Sequence, residues 1–403
     1  MPDRAKLLKR FAVLLGLVIA VLAIGLYAHE ILAYPSLTYF AGPVAGGDYY
    51  SFWAPARLVW FGEAYGAYDP GVLTPMLRTM MATTPGAYSS PLYYPPSYLL
   101  FLAPFGLLDY FASFMAFALC GTGLYLFTLW FITRWRWFVP FMLCSGAIWV
   151  NLVCGQNGLY TASLFGLGFA LLPTTPLAAG VMFGLLTFKP QLGLLIPVAL
   201  LALRQYRSIG MAALAFLALF VLAGVLFGPD IWLWSVSGMF TAGFNLAAEQ
   251  RLWGRMPSAF ALLRMSGLAP GQALLLHFLL VVPVVALTWV IWRRSRNYNL
   301  NSAATACLAL LASPFLYDYD MALLGVAIAF LAPEIARSGW WWGERVVLPL
   351  AMIWPIAVGW IALFTGMQLG LLGPVLLLLV VLRRIVKELK VAPTAAPALN
   401  TET

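Results

Sequence analysis

Long apolar runs alternate with short polar segments along almost the whole chain. A first apolar run, Phe11–Ala28, follows a basic start, and eleven more follow it: Phe111–Ile132, Trp137–Val153, Leu159–Leu172, Leu177–Phe188, Leu192–Leu203, Met211–Phe227, Ala273–Trp292, Ala303–Ala312, Met321–Ala332, Val346–Phe364 and Leu369–Val386. A full membrane span needs about 20 mostly apolar residues, so the shorter runs must recruit flanking residues or form tilted or broken helices. The pattern predicts an all-α polytopic membrane protein.

Composition supports the membrane class and excludes a soluble fold. Hydrophobic residues make up 63% of the 403 positions and charged residues 9%, against about 25% charged residues in a typical soluble domain. The formal net charge is +9, but the basic residues stand mostly in short groups between apolar runs, as topogenic signals do. We therefore expect membrane lipids around the chain and no nucleic-acid partner.

The basic groups also predict the topology. We place residues 4–10 in the cytoplasm of a bacterium and take the first run as a retained signal anchor in the inner membrane. Twelve spans then place the other main basic groups in the cytoplasm: Arg134 and Arg136, Arg204 and Arg207, Arg293 to Arg296, Arg337, and Arg383 to Lys387. Leu92–Leu108, which contains three prolines, must then be re-entrant or lie along the periplasmic side.

A competing arrangement makes Leu92–Leu108 a span and fuses residues 177–203 into one helix. It puts Arg134 and Arg136 outside and Lys189 in the middle of the membrane, so we favour the twelve-span arrangement. The predicted organisation is one transmembrane domain over residues 1–390. It has a large first periplasmic loop at 29–90 and a second at 228–271, and a disordered tail follows at 391–403.

In this arrangement the unusual polar residues lie at periplasmic helix ends. Asp48 is suited to act as a general base on an acceptor hydroxyl, or it caps the helix predicted over Tyr49–Phe61. Lys189 either contacts a phosphate or pyrophosphate, or is a lysine whose ammonium reaches the interface. An ionisable side chain at a membrane boundary is costly unless it is paired or used.

Two further polar segments leave similar alternatives. Gln156 and Asn157 either bind sugar hydroxyls or cap a helix. Asp318 and Asp320 are either acids of a site or parts of a turn and a helix N-terminus.

Several short motifs occur in a fixed order along the chain. They are Gly47-Asp48-Tyr49-Tyr50, Ala67-Tyr68-Asp69, Tyr94-Pro95-Pro96, Gly155-Gln156-Asn157, Lys189-Pro190-Gln191, Met256-Pro257-Ser258 with Arg264, and Ser313-Pro314. Together they resemble glycosyltransferase family 87, the polyprenol-phosphate-mannose-dependent type, over about residues 45 to 330. Two positions depart from the family pattern: the segment after Ser313-Pro314 lacks a histidine, and Ala67 stands where proline often precedes Tyr-Asp.

The resemblance implies a GT-C-like fold with about twelve spans and an acidic residue at the start of a large first periplasmic loop. It implies inverting, metal-independent transfer from a polyprenyl-phosphate sugar, with mannose as the suggested sugar, to a glycan or glycolipid acceptor, and no cofactor. Asp48 matches the acidic position and is the expected catalytic residue. The expected substrate-binding residues are Tyr49, Tyr94, Gln156, Asn157, Lys189, Gln191, Arg251, Arg255, Tyr317, Asp318 and Asp320, with Lys189 and one of the two arginines expected at the phosphate.

A transporter or flippase for lipid-linked or small polar substrates is the main alternative class. Such a protein shares the apolar composition, but it is expected to show internal repeats with paired broken helices. The two halves of this sequence show no convincing repeat. A third alternative, a non-catalytic membrane scaffold, leaves the clustered polar motifs unexplained.

Overall fold

The computed structural model describes residues 47–81, 92–136, 138–248 and 250–391. The predicted signal anchor Phe11–Ala28 and all but the first residue of the predicted tail lie outside these ranges. The described part is 81% helical and contains no strand, which confirms the all-α prediction.

The described residues contain nineteen α-helices. They are α1 (Tyr50–Trp60), α2 (Pro70–Met81), α3 (Pro96–Leu102), α4 (Tyr110–Thr133), α5 (Phe138–Met142), α6 (Gly146–Cys154), α7 (Gly158–Leu171), α8 (Pro176–Leu185), α9 (Pro190–Gly193), α10 (Leu195–Ala202), α11 (Tyr206–Phe227), α12 (Ile231–Ala248), α13 (Gln250–Trp253), α14 (Ala259–Met265), α15 (Pro270–Arg294), α16 (Tyr298–Ala312), α17 (Ala322–Ser338), α18 (Glu344–Thr365) and α19 (Leu372–Val391). Short 3₁₀ turns precede several of them, at Gly47–Tyr49, Ala64–Tyr68, Ala103–Leu107, Leu186–Phe188 and Asp318–Met321.

Five helical segments are long and apolar enough to cross a membrane. They are α4, α11, α15, α18 and the 21-residue segment Asp318–Ser338, which joins a 3₁₀ turn to α17. These segments confirm a polytopic membrane protein. Within the described residues, the other predicted runs form helices of 20 residues or fewer, and the run Trp137–Val153 is divided between α5 and α6.

The helices differ sharply in how deeply they are buried inside the protein. The apolar window of Asp318–Ser338 is 89% buried, whereas that of α11 is only 6% buried. α16, α17 and α19 pack against one another, with α15 beside α16. The segment that begins at Asp318 is therefore central, and α11 lies at the periphery with its apolar side chains available to lipid.

Hydrogen bonds gather many of the arginine-bearing helix ends at one end of the bundle. Arg293 donates to the carbonyl of Ala202 at 3.3 Å, Ser295 donates to Glu388 at 3.2 Å, and Arg384 pairs with Glu344 at 2.6 Å. We call this the basic end. The segment Asp318–Ser338 connects it to the opposite end and, at 1.5 Å per residue, is about 30 Å long, close to the hydrocarbon thickness of a bilayer.

The described part of the predicted first loop packs against α3 and α4. Tyr49 and Phe52 lie in an aromatic cluster with Tyr98 and Phe117, with ring centroids 5.0 to 6.4 Å apart. Residues Pro96–Leu107 form one short apolar helical segment, which is too short to cross a bilayer unaided. A re-entrant position for Leu92–Leu108 stays a prediction.

The two ends should be accessible from opposite sides of the membrane. In a variant without native cysteines, Glu63→Cys in the first loop and Trp342→Cys at the basic end are both exposed positions. We expect a membrane-impermeant maleimide to label them from opposite sides of sealed vesicles. Labelling of both from the same side contradicts this arrangement.

Candidate active site

The Asp48 carboxylate is held at the surface of the bundle by the residue that follows it. The Tyr49 ring is fully buried, and its hydroxyl lies 2.7 Å from the Ser113 hydroxyl. The Asp48 side chain stays 37% exposed, and its Oδ2 accepts a hydrogen bond of 3.0 Å from the Gln156 amide. The helix-cap alternative does not hold, because α1 begins at Tyr50 and its capping position, Tyr49, makes no side-chain cap.

Gln156 and Asn157 lie in a tight turn between α6 and α7. Gly155 ends α6 with a left-handed backbone (φ 63°), a conformation that side-chain-bearing residues adopt at a cost. Gly158 then begins α7 against the backbone carbonyl of Tyr319, where a Cβ atom would clash. The turn is therefore packed against the segment that carries Asp318 and Asp320.

Asn157 faces inward and is fully buried. Its Oδ1 accepts a hydrogen bond of 3.1 Å from the Lys189 ammonium and one of 3.4 Å from the Tyr94 hydroxyl. Asn157 occupies the capping position of α7 without a side-chain cap bond. It joins three separate segments of the chain through polar contacts.

Lys189 forms a buried ion pair with Asp320. The two side chains are 4% and 1% exposed, and Nζ lies 2.5 Å from the carboxylate oxygen. The Tyr319 ring centroid is 4.9 Å from the same ammonium. Burial alone would lower the pKa of Lys189, but the Asp320 carboxylate and Tyr94 outweigh it and raise this pKa, so the lysine stays charged.

Arg255 is held in place by Asp318. Its Nε and Nη2 each donate to the carboxylate at 3.0 Å, the bidentate geometry that suits a guanidinium. The Asp318 amide also donates to the Arg255 carbonyl at 3.0 Å. Burial would lower the pKa of Arg255, but Asp318, Cys154 and Asp48 raise it well above its ordinary value.

The third guanidinium nitrogen of Arg255 faces Asp48, so this side chain lies between Asp318 and Asp48. Nη1 of Arg255 lies 3.9 Å from Asp48 Oδ2, too far for a hydrogen bond but close enough for strong attraction. The Arg255 side chain is 27% exposed, whereas Lys189 is buried. Of these two cations, Arg255 is therefore the one that an entering anion can reach next to Asp48.

Of the other residues singled out in the sequence, Tyr317 lies against this cluster. The Tyr317 ring stacks on Tyr319 with centroids 5.2 Å apart, and burial raises the pKa of Tyr317. Gln191 is half-buried in α9, just after Lys189. Arg251 belongs to α13, but its side chain is outside the described part of the structure.

Three site residues were missed by sequence reasoning. Asn151 donates to the carbonyl of Tyr319 at 2.9 Å, Cys154 accepts from Arg255 at 2.9 Å, and Ser113 holds Tyr49. Asn151 had a usable signal, because it is a lone amide in an otherwise apolar run. Cys154 and Ser113 had none, because small side chains of this kind are common in membrane helices.

An apolar groove opens beside this polar cluster. It is narrow, with room for little more than a water molecule, and α4 and α7 supply Phe114, Phe117, Leu159 and Tyr160 to its wall. Gln156, the partner of Asp48, lines the same groove. The arrangement therefore sets a carboxylate and a fixed cation beside an apolar path.

The fold and site define a helical membrane protein with a cluster of paired acids and cations at the end of the bundle opposite the basic end. The family model of glycosyltransferase family 87 matches residues 92–314, more than half of the chain. The chain therefore belongs to this family and is a membrane glycosyltransferase. No curated protein and no solved structure matches it. The motif around Asp48 and the acids Asp318 and Asp320 lie outside the matched residues.

The Lys189–Asp320 pair should be energetically coupled. Asp320→Asn alone leaves a buried, unpaired ammonium, and Lys189→Met alone leaves a buried carboxylate. We expect each single variant to lose about 3–5 kcal/mol of stability. The double variant Lys189→Met/Asp320→Asn removes both charges and should recover most of that loss, measured by thermal unfolding in detergent. Additive losses in the double variant would contradict a coupled pair.

Proposed function

We propose that this glycosyltransferase transfers a sugar from a polyprenyl-phosphate donor to a hydroxyl of a glycan or glycolipid at the periplasmic face, with inversion. The observation that carries the proposal is the pairing of Asp48 with Arg255. A half-exposed carboxylate and a clamped, partly exposed guanidinium stand 3.9 Å apart. One can accept a proton, and the other can neutralise a phosphate leaving group.

The contacts of Arg255 suggest how the donor prepares the base. Two of its nitrogens are committed to Asp318, so Nη1 is the one turned toward Asp48. In our proposal the donor phosphate takes the place of Asp48 beside Nη1. The freed carboxylate is then available to the acceptor hydroxyl when the donor is bound.

The chemical step is a single displacement. The acceptor hydroxyl oxygen attacks the anomeric carbon as the bond from that carbon to the phosphate oxygen breaks. Asp48, which the donor phosphate has displaced from its place 3.9 Å from Arg255, takes the hydroxyl proton on one side of the sugar, and Arg255 balances the charge of the departing polyprenyl phosphate on the other. Attack opposite the leaving group inverts the anomeric carbon.

We propose a supporting role for the buried residues of the cluster. The sequence predicts Lys189 at the phosphate, but its ammonium is buried and bound to Asp320 and Asn157. We therefore propose that Lys189 fixes the turn that carries Gln156, and that Gln156 orients Asp48. Tyr49 is also buried, and we assign it to holding the Asp48 turn in place.

We propose that the lipid part of the donor lies beside the site, along the apolar surface of α4 and α7. The groove next to Gln156 is lined mainly by aromatic and aliphatic side chains of α4 and α7. An apolar wall suits an isoprenoid chain, and the phosphate would then lie at the polar end of the groove, near Arg255.

We also propose that the chain crosses the membrane twelve times, with the basic end in the cytoplasm and the site in the periplasm.

Asp48→Asn tests the base. The variant keeps the side-chain shape and can still accept the hydrogen bond from Gln156, so we expect normal thermal stability. Sugar transfer should fall about 10²–10⁴-fold, because a general base contributes that much. The measurement is product formation by purified protein from a labelled polyprenyl-phosphate sugar, with donor binding followed separately.

The matched control is Asp109→Asn. Asp109 is exposed and caps α4 by accepting from the Ala112 amide at 3.0 Å, a role that asparagine fills equally well. Its transfer activity should stay within about twofold of the parent, as expected for a neutral cap exchange. Near-parental transfer by a stable Asp48→Asn variant would refute the assignment of the base.

Arg255→Lys tests the phosphate contact. Lysine keeps the charge but cannot pair with Asp318 through two nitrogens and reach a phosphate with a third. We expect the donor KM to rise about 10-fold or more, because the variant loses one charge-assisted hydrogen bond to the phosphate. The acceptor KM should change little. An unchanged donor KM in the folded variant would remove Arg255 from the phosphate site.

A further inference from the structure

A second charged cluster lies at the basic end, on the opposite side of the bundle from Asp48. Three cations surround the ring of Trp341: Arg384 at 4.5 Å, Lys387 at 4.7 Å and Arg383 at 5.4 Å from the ring centroid. We call these four residues the Trp341 cluster. Trp341 belongs to the short connection between α17 and α18, and the cations belong to α19.

Arg384 has a structural role in this cluster. Its Nε donates to Glu344 at 2.6 Å and its Nη2 to the same carboxylate at 2.8 Å. Its remaining donors reach the Ser338 hydroxyl and the Gly339 carbonyl. Arg384 is 4% exposed and Glu344 is fully buried, so this pair neutralises itself and ties α19 to the connection.

Arg383 and Lys387 are not neutralised in the same way. The nearest acid to Arg383 is Glu344, whose carboxylate oxygen lies 3.8 Å from Nη2, and Arg384 already uses both oxygens. Nε and Nη2 of Arg383 are buried without a hydrogen-bond partner in the described residues. Lys387 is exposed one helical turn further along α19. Among the described residues, two positive charges therefore converge here without an acid of their own.

The surroundings of the cluster fit the boundary between lipid and water. Trp342 is 90% exposed and Trp340 is 44% exposed. Tryptophan side chains favour the headgroup region of a bilayer because the ring is apolar and the N–H is polar. The connection also lies at the end of the central segment, whose length matches one hydrocarbon core.

We propose that the Trp341 cluster binds the headgroup of one anionic phospholipid. Its phosphate would lie against the exposed part of the Arg383 side chain, which is 39% exposed, and accept a hydrogen bond from the Lys387 ammonium, while Trp340 and Trp342 lie among neighbouring headgroups. Charge complementarity identifies an anionic ligand, and the exposed tryptophans identify a lipid rather than a dissolved ion. The site is independent of the transfer reaction at the other end of the bundle.

Native mass spectrometry of the purified full chain in a neutral detergent tests this site. Phosphatidylglycerol and phosphatidylcholine with identical acyl chains are the probes. The parent should bind phosphatidylglycerol more tightly, and Arg383→Gln/Lys387→Gln should weaken that binding about thirtyfold, since two surface cations at about 1 kcal/mol each convert to that factor. Binding of phosphatidylcholine should not change.

The matched control removes two charges elsewhere at the basic end. Arg207 and Arg294 are exposed and take no part in the Trp341 cluster, so Arg207→Gln/Arg294→Gln should retain phosphatidylglycerol binding. Trp342→Ala, which alters an exposed side chain and leaves the Arg384 pair intact, should weaken it. This variant keeps the test valid if the double variant of α19 fails to fold.

Three results would overturn the proposal. The first is equal binding of the two lipids by the parent protein. The second is an equal loss of phosphatidylglycerol binding in the cluster variant and in the control variant. The third is displacement of the lipid by inorganic phosphate at similar concentration, which would make this a site for a free anion.

Discussion

The segment Asp318–Met321 receives two cations from distant parts of the sequence, and the organisation of the site depends on these contacts. Lys189 reaches Asp320 from the junction between α8 and α9, and Arg255 reaches Asp318 from the predicted second loop. Buried charges are costly unless each finds a partner. Because each acid has its own cation, three loops are fixed relative to one another at the end of the central helix.

This network explains how one carboxylate can remain available at the surface. Asp320 and Asp318 form the close ion pairs with Lys189 and Arg255. The amide of Gln156 is neutral, so it orients Asp48 without neutralising the carboxylate. Among the described side chains, the Arg255 guanidinium stays 3.9 Å from Asp48, beyond hydrogen-bond distance. A proton acceptor, the role proposed for Asp48, benefits from this arrangement, since a tight ion pair favours the charged form of a carboxylate and weakens it as a base.

The two ends of the bundle use the same residue types for different purposes. At the site end, charged pairs are shared among loops and leave one acid accessible. At the basic end, Arg384 and Glu344 close a neutral pair that holds α19, while Arg383 and Lys387 keep excess positive charge beside exposed tryptophans. About 30 Å of apolar helix separates the two ends, so substitutions at one should be nearly additive with those at the other.

Sequence alone determined that the chain is a helical membrane protein, where its basic groups lie, and which family its motifs resemble, because hydropathy and short motifs are local properties. It also selected Asp48, Gln156, Lys189, Arg255 and the two acids as polar residues out of place among apolar neighbours. It did not determine which cation pairs with which acid: Lys189 has no acid near it in sequence, and its partner is 131 positions away. Only the tertiary structure decided that Lys189 is buried while Arg255 stays partly exposed, because burial depends on how helices far apart in the chain pack together.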